Sequence, residues 1–108
     1  MLRVDIRLDK GGCVRRLQIT GHFGLGRAGN DPGCAAVSVL AKAWALTLME
    51  GKEHKLEGQV ERPGEFLLEI VQTGDMVHAK IAGRMLQNGL DSVRREFPDN
   101  IEIEILDY

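Results

Sequence analysis

The chain has 108 residues and a mass of 12.0 kDa, the size of one domain, which excludes a two-domain enzyme built on a full dinucleotide fold. With 44% hydrophobic and 28% charged residues and only 3 prolines, it is globular in composition and not disordered. Its 14 basic and 16 acidic residues leave a formal charge of −2, so no strong field favours nucleic acid or an acidic membrane surface.

Leu2, Val4, Ile6 and Leu8 alternate with Arg3, Asp5 and Arg7, the period of a half-buried strand. Asp9-Lys10-Gly11-Gly12 is turn chemistry. Val14, Leu17 and Ile19 then predict a second strand, in which Arg15 and Arg16 break strict alternation, and the pair reads as an antiparallel hairpin. The stretch from Gly21 to Gly33 holds five glycines and one proline in thirteen residues, which predicts a long mobile loop. A helix over about 33–50 follows, with Asp31 suited to the N-cap and Pro32 to the first helical position. It is apolar almost all round, interrupted by Ser38, Lys42 and Thr47, so it is expected to be largely buried; Gly51 closes it. Lys55–Glu61 and Glu65–Gln72 flank Arg62-Pro63-Gly64 as a second hairpin. From Asp75 to about Phe97, Val77, Ile81, Met85, Leu86, Leu90, Val93 and Phe97 keep a helical stripe that Gly83 and Gly89 weaken and Pro98 ends. Ile101, Ile103 and Ile105 alternate with acids in a last strand.

The order is therefore ββαββαβ in a single α+β domain over residues 1–108, with a mainly antiparallel or mixed sheet packed by two helices. The apolar first helix needs cover from the sheet and from either the second helix or a partner subunit.

Two cysteines, Cys13 and Cys34, in a chain able to build its own core do not make a disulfide scaffold. The N-terminus MLRVDIRLDK lacks the apolar core of a signal peptide, and Cys34 to Met49 is too short and too interrupted to span a bilayer. A cytoplasmic protein that does not engage a membrane is the expectation.

The chemistry concentrates in His22, Asp31 and Cys34. Cys34 falls near the third position of the first helix, where free N–H groups and the helix dipole favour a thiolate. A long loop anchored on a strand end and a helix start can return His22 to it as base or as imidazolium partner. N–H groups at the helix start can receive an oxyanion. Taken singly, each residue has a plainer role: a cysteine in an apolar helix is usually a small core residue, and Asp31 suits a cap without further assumption. Ser38, one turn after Cys34, either lines the site or bonds back to a carbonyl.

Other chemistries fit less well. Gly24-Leu25-Gly26-Arg27-Ala28-Gly29 matches the dinucleotide fingerprint, with Glu50 roughly where a ribose-binding acid would fall. There, however, the helix must open among the glycines, whereas Asn30-Asp31-Pro32-Gly33 sets a later start, and the flanking hairpins argue against a βαβ unit. Cys13, Cys34, His22, His54 and His78 show no compact ligand spacing, so no metal or other cofactor is expected. His54, among Lys52, Glu53 and Lys55, reads as solvated. The pairs Arg15-Arg16 and Arg94-Arg95 are small and lack interleaved aromatics, which argues against direct nucleic-acid binding.

Gly21-His22, a glycine-rich loop, and then Asp31-Pro32-Gly33-Cys34-Ala35-Ala36-Val37-Ser38 resemble the ribosomal-processing cysteine protease family, Prp. The likeness extends over the chain and is most specific in residues 21–38; Pro32-Gly33 departs from the usual apolar pair before the cysteine. The resemblance implies a bacterial, cytoplasmic homodimer that trims the short N-terminal extension of a large-subunit ribosomal protein. It implies His22 as catalytic base and Cys34 as nucleophile, with Gly21, Asp31 and Ser38 at supporting or substrate-lining positions. It also implies a loop of Phe23, Gly24, Leu25, Gly26 and Gly29 that orders around substrate. A non-catalytic peptide-binding or ribosome-assembly module on the same fold is the alternative.

Overall fold

The fold was obtained as a computed structural model, which describes residues 1–21, 32–59 and 65–108. Alternation drives the first two strands. In β1 (Leu2–Leu8), Leu2, Val4 and Ile6 are buried while Arg3, Asp5 and Arg7 face outward. β2 (Val14–Gly21) pairs antiparallel with it, from Leu2 opposite Gly21 to Arg7 opposite Arg16; then Leu8 faces Val14, so Arg15 is the extra residue of a bulge. This bulge is why Arg15 and Arg16 interrupt the pattern. Asp9 closes the turn by accepting the N–H groups of Gly11 and Cys13 through Oδ1, both at 3.0 Å.

The remaining elements are α1 (Pro32–Leu48), β3 (Lys55–Gln59), β4 (Glu65–Gln72), α2 (Met76–Glu96) and β5 (Ile101–Asp107). Both hairpins form, although the expected turn at Arg62-Pro63-Gly64, with Val60 and Glu61, lies outside the described residues. The sheet is mixed, in the order β3-β4-β2-β1-β5, with β5 parallel to β1 and every other pairing antiparallel.

These pairings fix the connections. β2 and β3 are both antiparallel to β4, so α1 carries the chain back along the sheet to a strand running the same way as β2. By the same reasoning α2 links β4 to β5, and the helices run in opposite senses. The hairpins therefore do not exclude βαβ crossovers; each crossover skips the strands between its ends.

Both helices cover one face of the sheet. Val4, Ile6, Val14, Leu17 and Ile70 meet Val37, Ala41, Trp44 and Leu48 of α1 and Ala79, Leu86 and Leu90 of α2 in one core. The other face carries charge: Arg3 pairs with Asp5, Glu102 and Glu104, and Arg16 with Glu69. The other arginines weighed as a nucleic-acid patch are likewise engaged. Arg15 lies 4.5 Å from the Tyr108 ring centroid and donates to the Ile70 carbonyl at 2.9 Å, while Arg94 and Arg95 both reach Asp91.

α1 is buried on one face and not all round. Gly33, Val37, Ala41, Trp44 and Leu48 turn inward, whereas Val39, Leu46 and Met49 are each more than 60% exposed. α2 is capped by Asp75, whose carboxylate accepts the His78 N–H at 3.0 Å, and its basic last turn suits the helix dipole.

The two glycines that weaken α2 as a helix earn their place in packing. A Cβ at Gly83 would lie 3.0 Å from Cγ2 of Val14, a fully buried side chain on a central strand. A Cβ at Gly89 would meet the methyl ends of Leu40, the far end of a flexible, half-buried side chain. Alanine gains about 1 kcal/mol over glycine in a helix interior, against a typical overpacking cost of ~1–3 kcal/mol. Gly83→Ala is therefore expected to destabilise by about 1 kcal/mol, and Gly89→Ala to stay within ~0.5 kcal/mol of the parent. Urea unfolding midpoints check both; the reverse ranking would contradict this account of the packing.

Candidate active site

One end of the sheet collects the chain starts and stops from which a site can be built. β2 finishes at Gly21, opposite Leu2, and Leu2 also pairs with Ile101 at the start of β5. The Leu2 N–H donates to the Asn100 carbonyl at 2.9 Å, tying β1 to the turn that follows α2. Gly21 has φ +85°, and a Cβ there would lie 2.5 Å from the Met1 carbonyl oxygen. Both the backbone conformation and the space demand glycine.

The N-terminus of α1 belongs to the same end. Leu40 packs on Gly89, late in α2, while His54, beyond the other end of α1, touches His78, early in α2. The start of α1 thus points toward the end of α2, where β5 begins. Pro32 opens the helix, as its preset φ favours. Gly33 is buried and Cys34, the third helical residue, is half-buried and packs against the core. Ser38 is exposed one turn later. The thiol therefore sits in the first turn of a 17-residue helix, among backbone N–H groups that lack intrahelical acceptors and at the positive end of the helix dipole.

Among the expected site residues, Gly21, Cys34 and Ser38 are described, and the first two lie at this end of the fold. His22, Phe23, Gly24, Leu25, Gly26, Gly29 and Asp31 lie outside the described residues.

Cys13 is far from this site. It precedes β2, whereas Gly21 ends it, and an eight-residue strand spans about 26 Å. Cys13 is buried, and burial together with the nearby Asp9 carboxylate raises its thiol pKa. It is a core residue of the hairpin turn, with little thiolate to react.

The group that sequence reading missed is at the Cys13 end. His54 is not simply solvated: its Nε2 lies 3.0 Å from Nδ1 of His78, with the ring planes 19° apart and the centroids at 5.3 Å. The two are separated by 24 residues, so no local spacing announces the pair. Among the described residues, no three His, Cys, Asp or Glu side chains cluster as a metal site, and no helix is long and apolar enough to cross a membrane.

Comparison with known proteins adds to this geometry. A search of curated protein sequences finds no match. Solved structures do match in fold. An essential ribosomal processing protease Prp from S. aureus, in complex with a covalently linked product peptide, superposes with a TM-score of 0.86 at 22% identity, over 97% of this chain and 99% of that one. The same protease with a substrate peptide gives 0.81 at 20% identity, again over 97% and 99%. SMU.848 from Streptococcus mutans gives 0.80 at 20% identity, over 100% of this chain and 96% of that one. At these identities the likeness establishes the fold. The sequence itself matches the family model described as cysteine protease Prp over residues 1–102, which contains both the Gly21 strand end and Cys34, and the chain belongs to that family of cysteine proteases.

Proposed function

We propose that this protease trims the N-terminal extension of a large-subunit ribosomal protein, with Cys34 as nucleophile and His22 as base. The observation that carries the reading is the place of Cys34: a half-buried thiol in the first turn of α1, within the part of the chain that matches the family model. The choice of substrate follows the S. aureus relative, a ribosomal processing protease described with both substrate and product peptides.

In the proposed reaction the Cys34 sulfur attacks the scissile carbonyl carbon while His22 takes the thiol proton. The negative oxygen of the tetrahedral intermediate is met by N–H groups at the start of α1. Collapse breaks the C–N bond and His22 gives its proton to the leaving amine, which leaves a thioester on Cys34. Water activated by His22 then hydrolyses the thioester and restores the thiol. In this reading Asp31 orients His22, Phe23 and Leu25 offer the peptide apolar contact, and Ser38 lines the site one turn beyond the thiol. A substrate made on ribosomes puts this work in the cytoplasm of a bacterium.

We further propose that two copies associate through the helix layer. Val39 and Leu46 of α1, Met49 just after it, and Val77, Ile81 and Met85 of α2 are all between 61% and 70% exposed. They form apolar stripes on the side of the helices away from the sheet, which water disfavours and a second copy would cover.

Three outcomes are expected. A peptide spanning the N-terminal extension of the host's ribosomal protein is cleaved once; Cys34→Ser and His22→Ala each lower kcat/KM by about 10³ or more, measured by mass spectrometry of the products. Peptide binding without cleavage by the parent chain would instead favour a binding module. Iodoacetamide labels Cys34 of the folded protein well before Cys13, and His22→Ala slows that labelling; unchanged rates would remove the Cys–His pair. Light scattering gives a mass twice the 12.0 kDa chain, and Leu46→Lys with Ile81→Lys returns it to one chain.

A further inference from the structure

The end of the domain opposite Cys34 holds two chain segments that meet around two imidazoles. After α1 the backbone turns through Gly51 at φ +73° and Glu53 at φ +62°. The left-handed region is open to glycine but costly for a residue with a Cβ, so Glu53 is held there by its surroundings. Those surroundings are the turn before α2. The Asp75 N–H donates to the Lys52 carbonyl at 3.0 Å, and Gly74 lies so close to Lys52 and Glu53 that a Cβ there would fall on the Lys52 carbonyl oxygen. His54 completes the contact in two directions: its Nδ1 accepts the Gly74 N–H at 3.0 Å, and its Nε2 meets Nδ1 of His78 in the first turn of α2.

The bonds define the tautomers. A backbone N–H can only donate, so Nδ1 of His54 carries the lone pair and Nε2 carries the proton. Nε2 of His54 is then the donor and Nδ1 of His78 the acceptor. Each ring thus uses its one basic nitrogen as an acceptor within the fold. A proton arriving at His54 Nδ1 faces the Gly74 N–H, and one arriving at His78 Nδ1 faces the His54 N–H; either uptake breaks a bond that joins segments. The same tautomers argue against a metal bridging the rings, because Nε2 of His54 has no free lone pair to offer.

We propose that the His54–His78 pair is a proton-operated latch, which holds the segment after α1 against the turn and first helical residues of α2 when neutral and releases them when protonated. The charged groups around it are Lys52, Glu53 and Lys55 from the segment after α1 and Asp75 from the turn. Asp75 acts on His54 as a counter-charge, and its Oδ1 accepts the His78 N–H. Burial, and the neighbouring His78, hold the His54 pKa below the ordinary imidazole value despite the opposing pull of Asp75. A pKa lowered by folding means that the unfolded chain binds the proton first as pH falls. The latch is therefore fully effective above the ordinary imidazole pKa of about 6.5 and is lost below it, as pH falls through the folded value.

The test is nitrogen-15 NMR of the histidine rings in the intact protein, with His54→Gln and His78→Asn used for assignment. At pH 7.5 both rings are expected as the Nε2–H tautomer, with His54 titrating below 6.5. Amide-exchange protection at Gly74 and His78 should fall at least tenfold between pH 7.5 and 5, while Val4 and Leu17 in the central strands keep theirs. In His78→Asn, which keeps an acceptor near the Nδ1 position but does not titrate, the His54 midpoint should rise. A His54 ring with Nδ1–H at pH 7.5, a midpoint at or above 6.5, or protection at Gly74 that does not change with pH would each overturn the latch. These readouts are independent of peptide cleavage.

Discussion

Two helices must share one face of a five-stranded sheet, and most of what the molecule does follows from how they manage it. Each helix returns the chain to a strand parallel to the one it left, so each must lie along the sheet, and the two must run in opposite senses. The shared face is continuous and apolar, from Leu2, Val4 and Ile6 through Leu17 and Ile19 to Phe66, Leu68 and Ile70. Burying that face is the large favourable term. Close approach is what makes it possible, and the chain secures it by omitting side chains: Gly83 lets α2 down onto Val14, and Gly89 admits Leu40 of α1. Helix propensity is given up at both points for contact.

The opposed helices give the domain two unlike ends. At one, β2 stops, α1 starts and β5 begins, so a strand terminus and a helix N-terminus are brought near the same place. A helix N-terminus there offers N–H groups without intrahelical partners, which is the requirement for steadying a thiolate or an oxyanion. At the other end, the exit of α1 and the approach to α2 are cross-tied by Asp75, Gly74, His54 and His78. The antiparallel arrangement keeps the two ends apart by the length of a helix.

Local patterns carried the elements because their causes are local. Alternation in Leu2–Leu8 reflects which face is covered, and Asp75, Pro98 and Pro32 mark helix limits through the bonds they make or lack. The segment proposed to carry catalysis stands out in the sequence for the same reason: Gly21 through Ser38 is one continuous stretch with its own motif. Strand order was not legible, since nothing in β5 says that it pairs with β1 across the whole sequence. What depends on strand order was hidden with it: that the crossovers skip strands, that Cys13 and Cys34 lie at opposite ends, and that His54 meets His78. The bulge at Arg15 shows the intermediate case, where a broken alternation signalled an irregularity whose nature only the register Leu8–Val14 reveals. α1 shows another: apolar residues all round pointed to cover on every side, but one chain covers only the face bearing Val37, Ala41, Trp44 and Leu48.

That uncovered face is consistent with how charge is distributed elsewhere. The open face of the sheet is crossed by Arg3 and its acidic partners and by the Arg16–Glu69 pair. The edge strand β5 alternates isoleucine with Glu102 and Glu104 and ends at Asp107, so a strand from another chain would meet carboxylates along it. Charge thus discourages association through the sheet, both over its face and along this edge. On the helix side, Lys42 is the one charged residue of α1, and although α2 carries Lys80, Arg84 and a charged last turn, Val77, Ile81 and Met85 follow one another at four-residue spacing along it. A surface that repels association on the sheet side and leaves apolar stripes on the helix side directs any self-contact to the helices. In the proposed dimer such a contact would bury the very stripe that made α1 look like a core helix, which would account for a composition that the single chain leaves unexplained.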